Sequence, residues 1–409
     1  MHPPCVRSGI MIQMPLGLYI SVPFCKTKCT YCNFASDVFS RAVFDRYIAR
    51  VCAEIEKAGE TAEQMGGLLE PTVDSIYLGG GTPTLLEVTQ LERVFVTISQ
   101  NFDIDPRVET TVECAPGTLS QAMVDTLTGC GVNRVSLGVQ SFADKEAASV
   151  GRLHKRSTVI HDIAQLRAAG VSNINVDLIA GLPHQTRESW DQSLNELIAT
   201  GVPHASIYML EVDGDSRLGN EIIAGGQRYH AHFVPDDDLT ADMYEVACER
   251  LNGAGILHYE ISNFARPGFE SKHNLKYWTR QPYLGFGVDA HSMVPAHSGE
   301  GAVRFANPDS LEKYQACVSP ERTVVSCDEA LQEAFFLGLR LNRGVDLRHI
   351  NQVFGAGATN GFSEVLRGLA QDRLLERDSD NVRLTARGRL LSNEVFGRFI
   401  SPGPHSISA

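Results

Sequence analysis

Residues 17–34, GLYISVPFCKTKCTYCNF, place Cys25, Cys29 and Cys32 on one short loop directly after an apolar, strand-like run. Their spacing is C-x3-C-x2-C, and the next cysteine, Cys52, lies inside a helical pattern. A structural zinc site takes four protein ligands, and a 4Fe-4S cluster that only transfers electrons takes four cysteines. Three thiolates would leave one iron of a cluster open to another ligand. The loop therefore predicts a 4Fe-4S cluster with an open iron, the alternative being a chance grouping of thiols.

The composition is that of a globular chain. Of its 409 residues, 43% are hydrophobic and 21% charged, and the formal net charge is −13. That charge argues against general attraction to nucleic acid or to an anionic membrane. No apolar run reaches the ~18 residues of a membrane helix. Ten cysteines without a secretion signal indicate reduced thiols, and hence a cytoplasmic protein. We expect residues 1–15 to be a disordered leader or an error in the assigned start, with Met14 an equally plausible beginning.

Apolar strand-like runs alternate with amphipathic helical segments. The six runs are residues 17–22, 74–80, 109–114, 134–140, 173–181 and 204–210. Continuous apolar strands alternating with helices predict a parallel sheet covered by helices. Thr118 and Gln121 have the spacing of a capping box, and Gly131, Gly170 and Gly201 are expected at helix C-termini. Six right-handed units predict an α/β fold with a partial, open (β/α)6 barrel rather than a flat doubly wound sheet.

Polar and glycine residues occur where these strands end. Gly79, Gly80 and Gly81 follow the second strand, and Thr82 and Pro83 determine how the chain leaves it. Further candidates at strand ends are Glu113, Gln140 and Asp177, with Arg152 predicted to open a helix. Carboxylates can accept hydrogen bonds from ribose hydroxyls, and arginine can bind a carboxylate through two hydrogen bonds. We expect these residues to share the face that binds ligands in β/α barrels.

From about Leu18 onward the chain resembles the HemN/HemW branch of the radical S-adenosylmethionine (SAM) superfamily. The matching strings are YISVPFCKTKCTYC, GGGTPT, VECAPGTL, RVSLGVQSF, NVDLIAGLPHQT, HYEISNFARPG, HNLKYW and GFGVDAHS. The resemblance implies that Cys25, Cys29 and Cys32 hold the cluster and that SAM occupies its open iron. The SAM contacts that it implies are Tyr19, Gly80, Gly81, Thr82, Glu113, Gln140, Arg152 and Asp177. In this family the cluster reduces SAM to a 5′-deoxyadenosyl radical.

Two departures favour the HemW subgroup of haem chaperones. Members typical of the HemN subgroup extend the motif to C-x3-C-x2-C-x-C and carry a longer N-terminal segment, whereas this chain has Phe34 at the fourth position. The string HNLKYW resembles an H-N-x-x-Y-W motif that the HemW subgroup associates with haem. The haem candidates are therefore His273, Tyr277 and Trp278, because imidazole is a natural axial ligand and aromatic rings can stack on a porphyrin. His291 is a second candidate ligand.

Beyond residue 305 the pattern changes. Residues 307–325 are predicted to be a connector, and the tail predicts two or three helices followed by a two-stranded ribbon around residues 378–381. This order predicts a winged-helix-like α+β domain, so the predicted organisation is a core at 16–240, an extension at 241–305 and a C-terminal domain at 306–409. Arginines in the tail alternate with acidic residues, as on a solvated surface, so we expect no nucleic-acid partner.

Three functions stay open. The first is a haem chaperone that binds haem and passes it to acceptor proteins, including a membrane-associated recipient, with the cluster promoting homodimer formation or release. The second is an oxygen-independent coproporphyrinogen III oxidase of porphyrin biosynthesis. The third is a HemN-like radical enzyme with another substrate. The complete nucleotide site keeps both enzyme hypotheses open, whereas Phe34, the short N-terminus and HNLKYW favour the chaperone over catalysis.

Overall fold

The computed structural model describes residues 14–299 and 301–400, so nearly all of the expected leader lies outside the described residues. Six parallel strands are neighbours in chain order within a sheet whose two end strands do not pair with each other. A doubly wound sheet would reverse its strand order at a switch point, and these six strands have no reversal. The predicted open (β/α)6 barrel is therefore confirmed. Its strands are β1 (Leu16–Val22), β2 (Thr72–Gly80), β3 (Asp103–Cys114), β4 (Arg134–Gln140), β5 (Asn173–Ala180) and β6 (His204–Met209).

Six further strands extend both sides of the barrel. On the β6 side, β8 and β7 pair antiparallel; on the β1 side, β9 is parallel to β1 and β10 to β12 follow antiparallel. These strands are β7 (Leu257–His258), β8 (Asn263–Ala265), β9 (Tyr283–Phe286), β10 (His291–Pro295), β11 (Ala302–Ala306) and β12 (Glu321–Val325). The strand β12 lies in the segment predicted to be a connector. That prediction was wrong because ERTVV, exposed except at Val325, pairs with β11 and covers its edge.

Helices cover the barrel and follow the predicted amphipathic segments. They are α1 (Phe44–Glu56), α2 (Ala58–Gln64), α3 (Val88–Asn101), α4 (Gln121–Gly129), α5 (Asp144–Ser149), α6 (Arg156–Ala168), α7 (Arg187–Thr200), α8 (Arg217–Ile223), α9 (Asp237–Gly253), α10 (Lys272–Trp278) and α11 (Leu311–Gln315). Short 3-10 turns lie at Arg41–Val43, Pro83–Leu85 and Arg228–Phe233. Gly201 caps α7 with a φ of 67°, a left-handed conformation that suits glycine, as predicted. The predicted capping box was wrong: α4 begins one turn later than Thr118, and Ser120 caps it by accepting from the Met123 amide.

The barrel strands are apolar only on their outer side. Leu18 and Ile20 are fully buried against the helical layer, while Tyr19 between them faces a polar interior. Inside, Asn175 donates to Ser136 (2.7 Å) and to Asp177 (2.6 Å). The continuous apolar strands expected from the sequence are therefore corrected to alternating ones. The outer face supplies the core, and the inner face is free to bind polar ligands.

The helix α10, which carries HNLKYW, closes the barrel at the N-terminal ends of the strands. Lys276 is buried and its ammonium lies 2.6 Å from the Asp74 carboxylate and 2.7 Å from the Pro15 carbonyl oxygen. A side chain on Gly17 would collide with Lys276, since its Cβ would lie 2.8 Å from that residue's Cδ. The close packing of α10 against β1 therefore depends on glycine at this position.

A smaller C-terminal module follows β12, and its hydrophobic cluster also includes Met293 and Ala302 of the added strands. Its sheet has the order β13-β15-β14, and the β14–β15 ribbon turns at residues 378–381 as predicted. The elements are β13 (Val345–Asp346), β14 (Leu375–Asp378), β15 (Asn381–Leu384), α12 (Cys327–Gly338), α13 (Leu347–Phe354), α14 (Ser363–Gln371), α15 (Ala386–Leu390), α16 (Ser392–Gly397) and a 3-10 turn at Ala358–Phe362. Helices followed by a ribbon form the expected winged-helix-like α+β arrangement. The predicted start of this module was residue 306; because β12 pairs with β11, we propose that it starts after residue 325.

Glu54 connects the first barrel helix to the added strands. Its carboxylate accepts hydrogen bonds from the Gly287 amide (3.0 Å), the Asn307 side chain (2.5 Å) and the Tyr314 hydroxyl (2.5 Å).

We expect Glu54→Ala to lower the free energy of unfolding by about 1.5–3 kcal/mol, because these donors lose a charged acceptor. Denaturant unfolding measures this change. Glu56→Ala, an exposed position on the same helix, is the control, with an expected change within about 0.5 kcal/mol. Equal effects of Glu54→Ala and Glu56→Ala would contradict a stabilising role for the Glu54 hydrogen bonds.

Candidate cluster and nucleotide site

The loop that carries the three cysteines is closed by its own hydrogen bonds. The Cys25 amide donates to the Asp37 carbonyl oxygen (2.9 Å), and the Asp37 amide donates to that of Pro23 (2.9 Å). Inside the loop, the Lys28 ammonium donates to the carbonyl oxygens of Phe34 and Ser36, both at 2.6 Å. These contacts define the loop conformation, because they join its two ends to each other and its middle to the half-buried Lys28 ammonium.

The connection between α5 and α6 supports the loop from the side. The Thr30 amide donates to the Val150 carbonyl oxygen (3.1 Å), and the Thr27 hydroxyl donates to that of Gly151 (3.0 Å). On the other side, the Leu218 amide in α8 donates to the Thr30 carbonyl oxygen (2.8 Å). The loop is therefore held between two segments that are distant in sequence.

The three thiols line one cavity of about 1180 Å³. Cys29 is buried, whereas Cys25 and Cys32 are half-buried. Burial raises the pKa of the Cys25 thiol, and the neighbouring thiols of Cys32 and Cys29 raise it further. Within the described ranges no group of three or more His, Cys, Asp or Glu side chains is arranged around a single metal ion. That finding is compatible with a cubane, in which each thiolate binds a different iron and the sulfurs lie farther apart than ligands of one ion.

Neither Phe34 nor Cys52, the next cysteine in the sequence, supplies a fourth ligand. Phe34 occupies the sequence position of the missing fourth cysteine, and its side chain is 63% exposed. Cys52 lies on α1, where it is buried in the core, and it is not among the residues that line the cavity. The donor set on the loop is therefore three thiols, which fits a 4Fe-4S cluster with one iron available to a further ligand.

The glycine turn after β2 packs directly on the start of the cysteine loop. The Gly81 amide donates to the Val22 carbonyl oxygen (2.9 Å), and the Thr82 amide donates to that of Phe24 (2.7 Å). A Cβ on Gly81 would lie 2.6 Å from the Val22 carbonyl oxygen, and Gly80 has a φ of 97°. These positions require glycine, because a side chain would separate the turn from the loop.

Two carboxylates lie near each other in the barrel mouth, which is the opening at the C-terminal ends of the strands. Glu113 accepts hydrogen bonds from the Tyr77 hydroxyl (2.7 Å) and the Gly80 amide (3.1 Å). Burial raises the pKa of Glu113 to about 7; the Asp177 carboxylate raises it as well, while the two hydrogen bonds lower it. Burial also raises the pKa of Asp177, against hydrogen bonds from Ser206, Asn175 and Ser136. Both groups are suited to accept hydrogen bonds from hydroxyls or to pair with a cation.

Arg152 connects the barrel mouth to the cysteine loop. Its guanidinium donates to the Cys29 sulfur (3.6 Å) and to the Gly138 carbonyl oxygen. It does not open a helix as predicted, because α5 ends at Ser149 and α6 begins only at Arg156. The cation is therefore placed to stabilise negative charge on Cys29. Gln140 lies beside it at the end of β4 with a φ of 70°, an uncommon conformation for a residue with a side chain.

The structure brings nearly all of the predicted cluster and nucleotide residues to this one cavity. Its lining includes Cys25, Cys29, Cys32, Gly80, Gly81, Thr82, Glu113, Gln140, Arg152 and Asp177. Tyr19 lies deeper in the barrel, where its ring is 6.1 Å from that of Tyr77. Tyr19 lies below the floor of the cavity, so it supports the residues that line the cavity but is not one of them.

The haem candidates do not form an open ligand site. His273 is buried at the closed end of the barrel, with Nδ1 3.1 Å from the Ser75 hydroxyl and Nε2 2.8 Å from the Tyr277 hydroxyl. Burial lowers its pKa to about 3, so the imidazole is neutral. Trp278 lies against the guanidinium of Arg340 at 4.1 Å. The expectation that this motif ligates iron and stacks on a porphyrin does not fit this geometry, because both imidazole nitrogens and both aromatic side chains already have protein partners.

His291 is exposed at the start of β10, 3.9 Å from the Asp289 carboxylate, and is not among the residues that line the cavity.

The sequence did not predict part of the cavity lining. Tyr208 at the end of β6 lines the cavity, as do Arg340, Arg387 and Arg389 of the C-terminal module. Tyr208 could have been found from its place at a strand end, but the arginines follow no strand–glycine pattern that would separate them from a solvated surface.

Comparison with known proteins agrees with this site. The profile of the Radical SAM superfamily matches residues 19–197, and that of the HemN C-terminal domain matches residues 325–391. Heme chaperone HemW of Lactococcus lactis is 33% identical over 95% of this chain and 98% of that protein. Heme chaperone HemW of Bacillus subtilis is 34% identical over 93% of this chain and 98% of its own length. The chain belongs to the HemW family. Membership of the Radical SAM superfamily implies a 4Fe-4S cluster and SAM.

A solved structure shares the fold of this HemW-family chain. Coproporphyrinogen III oxidase (HemN) from Escherichia coli, a radical SAM enzyme, superimposes with a TM-score of 0.80, covering 96% of this chain and 92% of its own, at 24% identity. The similarity extends through both the barrel and the C-terminal module. At this identity the likeness establishes the fold.

The three-thiol loop predicts the iron content of the protein. Anaerobically purified protein should contain about four iron and four sulfide per chain, because each thiolate binds one iron of a cubane. Replacing Cys25, Cys29 or Cys32 by alanine should abolish the cluster, as measured by iron and sulfide analysis and by the visible absorption of the protein. Cys52→Ala, at a buried thiol away from the cavity, is the matched control and should keep the cluster. Stoichiometric zinc in place of iron would contradict the assignment.

The raised pKa of Glu113 predicts a pH-dependent affinity for SAM. Because its pKa is about 7, Glu113 is mostly protonated at lower pH, and the cationic nucleotide should favour the ionised form. Affinity should therefore rise with pH through about 7 and level off above it. Calorimetry with Glu113→Gln should give weaker binding and a flatter pH profile at unchanged iron content, with Glu56→Gln as the control. A variant that binds SAM as the wild type does at every pH would show that Glu113 does not contact the nucleotide.

Proposed function

We propose that this protein is a haem chaperone that binds haem, a 4Fe-4S cluster and SAM and delivers haem to acceptor proteins. The observation that carries the proposal is the similarity over nearly the full length to proteins named Heme chaperone HemW. Phe34 supports it, because the loop lacks the fourth cysteine that is typical of the HemN subgroup. When bound, the cluster and SAM would supply one-electron chemistry at the barrel mouth.

The size of the cavity supports a second ligand beside the nucleotide. Its volume of about 1180 Å³ exceeds the range of about 300–1,000 Å³ that single small-molecule sites occupy. The part near the cysteine loop has the glycine turn and carboxylates that suit SAM. Tyr208, Ile261 and Leu391 contribute apolar surface to the same cavity, which suits the face of a macrocycle.

Within this proposal the barrel residues have separate tasks. Cys25, Cys29 and Cys32 hold the cluster, and Arg152 offsets negative charge at Cys29. Glu113 and Asp177 accept hydrogen bonds from the nucleotide, and the turn at Gly80, Gly81 and Thr82 lets the backbone approach it closely. His273, Tyr277 and Trp278 close the opposite end of the barrel. We assign them a structural task, since His273 makes two hydrogen bonds inside the protein.

The partners that follow are haem and haem-acceptor proteins, with a homodimer as a further form of the chaperone. In the described residues no helix has the length and apolarity to cross a membrane. We propose the cytoplasm as its location, on the basis of its ten cysteines.

A second candidate function is oxygen-independent coproporphyrinogen III oxidation. The complete nucleotide site favours it, because Glu113, Gln140, Arg152 and Asp177 all line the cavity beside the cysteine loop. A protein that only carries haem would have less use for such a site. The complete nucleotide site equally favours a HemN-like radical reaction on a different substrate.

One anaerobic experiment separates these functions. The reconstituted protein should bind haem, seen as a Soret band, and should not convert coproporphyrinogen III to protoporphyrinogen IX in the presence of reductant and SAM. Product analysis and 5′-deoxyadenosine release measure the second outcome. Conversion of coproporphyrinogen III with release of 5′-deoxyadenosine would show that the protein is an oxidase and would contradict the chaperone function.

The same preparation tests the histidines. Neither His273→Ala nor His291→Ala should shift the position of the Soret band, because neither imidazole lines the cavity. His273→Ala should lower thermal stability instead, since the Ser75 and Tyr277 hydroxyls lose their partner. A Soret shift in either variant would assign that histidine as the iron ligand.

A further inference from the structure

The C-terminal module contributes a basic section to the cavity wall. This section, named the arginine wall, consists of Arg340, Arg387 and Arg389 together with residues 390–393. It contains no acidic residue, although Asp237 and Asp238 of α9 line another part of the cavity. Leu390 packs against the main hydrophobic core, which fixes α15 and its arginines against the barrel. The arginine wall is therefore a fixed part of the cavity.

Two of these arginines have no anionic partner. Within the described part of the chain, Arg387 makes no side-chain hydrogen bond or ion pair, and Arg389 makes only a hydrogen bond of 3.3 Å to the Leu384 carbonyl oxygen. Elsewhere in the module, Arg383 pairs with Glu376 at 2.5 Å and Arg348 with Asp380 at 3.1 Å. Arg387 and Arg389 therefore keep guanidinium donors free for a ligand at the cavity.

Arg340 is held differently. Its guanidinium lies over the Trp278 ring at 4.1 Å and the Phe396 ring at 6.0 Å, and 3.9 Å from the Glu260 carboxylate. Its Nε is buried without a hydrogen-bond partner. Stacking orients the plane of this guanidinium at the cavity wall without using all of its donors. A ligand anion would find the group already oriented.

We propose that the arginine wall is a carboxylate subsite that binds the propionate groups of haem. The inference rests on the proposed function and names how its ligand is recognised. Haem carries two propionates on one edge of an otherwise apolar macrocycle, and arginine binds carboxylates through paired, charge-assisted hydrogen bonds. Arg387 and Arg389 each offer such a fork, and Tyr208, Ile261 and Leu391 offer apolar surface for the ring.

The distribution of charge in the cavity determines which ligand goes where. The barrel contributes the buried carboxylates of Glu113 and Asp177, which favour the cationic nucleotide and repel propionates. The arginine wall has the opposite preference. Haem would therefore bind with its propionates toward the C-terminal module, and SAM with its cationic groups toward the barrel.

The test compares haem with haem dimethyl ester, which lacks the two carboxylates. Both are titrated spectroscopically into the anaerobically reconstituted full chain. Wild type should bind haem at least tenfold more tightly than the ester. The double variant Arg387→Gln, Arg389→Gln should lose about a hundredfold in haem affinity, because each of the two lost charged contacts is worth about tenfold. Its affinity for the ester should not change.

The control variant is Arg367→Gln, an exposed arginine on α14 that does not line the cavity, which should bind both ligands as wild type does. Iron content and SAM affinity should be unaltered in all variants. Equal affinity of wild type for haem and its ester, or equal losses of both in the double variant, would overturn the subsite.

A third ligand, coproporphyrin III with four propionates, separates this subsite from the proposed function. If wild type binds coproporphyrin III but not haem, and the double variant loses that binding, the carboxylate subsite stands and the chaperone function fails. If wild type binds haem independently of its carboxylates, the chaperone function stands and the subsite fails. If neither tetrapyrrole binds, both fail.

Discussion

The arrangement of the site depends on the contact between the glycine turn after β2 and the first residues of the cysteine loop. Two backbone hydrogen bonds, from Gly81 to Val22 and from Thr82 to Phe24, continue the pairing of β1 and β2 beyond the ends of the strands. The nucleotide turn and the cluster loop are consequently one unit, and neither can shift without the other. The narrow gap between them admits only glycine at position 81, since a Cβ would meet a carbonyl oxygen at 2.6 Å.

Around that unit, the barrel separates two tasks between the faces of its strands. The outer residues, such as Leu18 and Ile20, bury apolar surface against the helices and hold the fold together. The inner residues form a polar network that positions Glu113 and Asp177 in the mouth, and burial there raises the pKa of both. Because the core lies outside the barrel, the interior can keep carboxylates whose charge responds to a ligand.

The sequence allowed much of this to be predicted, for reasons that differ between elements. Runs of apolar residues located the six barrel strands, and the C-x3-C-x2-C spacing located the loop, because both are local patterns. Arg152 and the capping of α4 were placed less accurately, since helix ends depend on contacts that the sequence does not display. The edge strand β12 and the cavity-facing arginines depend on tertiary packing alone. His273 shows the reverse case, in which a motif points to a residue but its burial at the closed end of the barrel changes its role.

The stacking of Arg340 on Trp278 has a consequence for how mutants of HNLKYW are understood. The helix α10 closes the far end of the barrel, yet Trp278 reaches a guanidinium at the cavity wall. Removing the indole would leave Arg340 without its main ring contact, so a cavity ligand would have to order that side chain itself. A weaker affinity after such a change would then reflect a lost preorganisation of the arginine, and the electronic spectrum of a bound metalloporphyrin would stay constant. The affinity for the ligand thus reports on the ordering of Arg340, whereas the spectrum of the bound metalloporphyrin reports on the ligands of its metal.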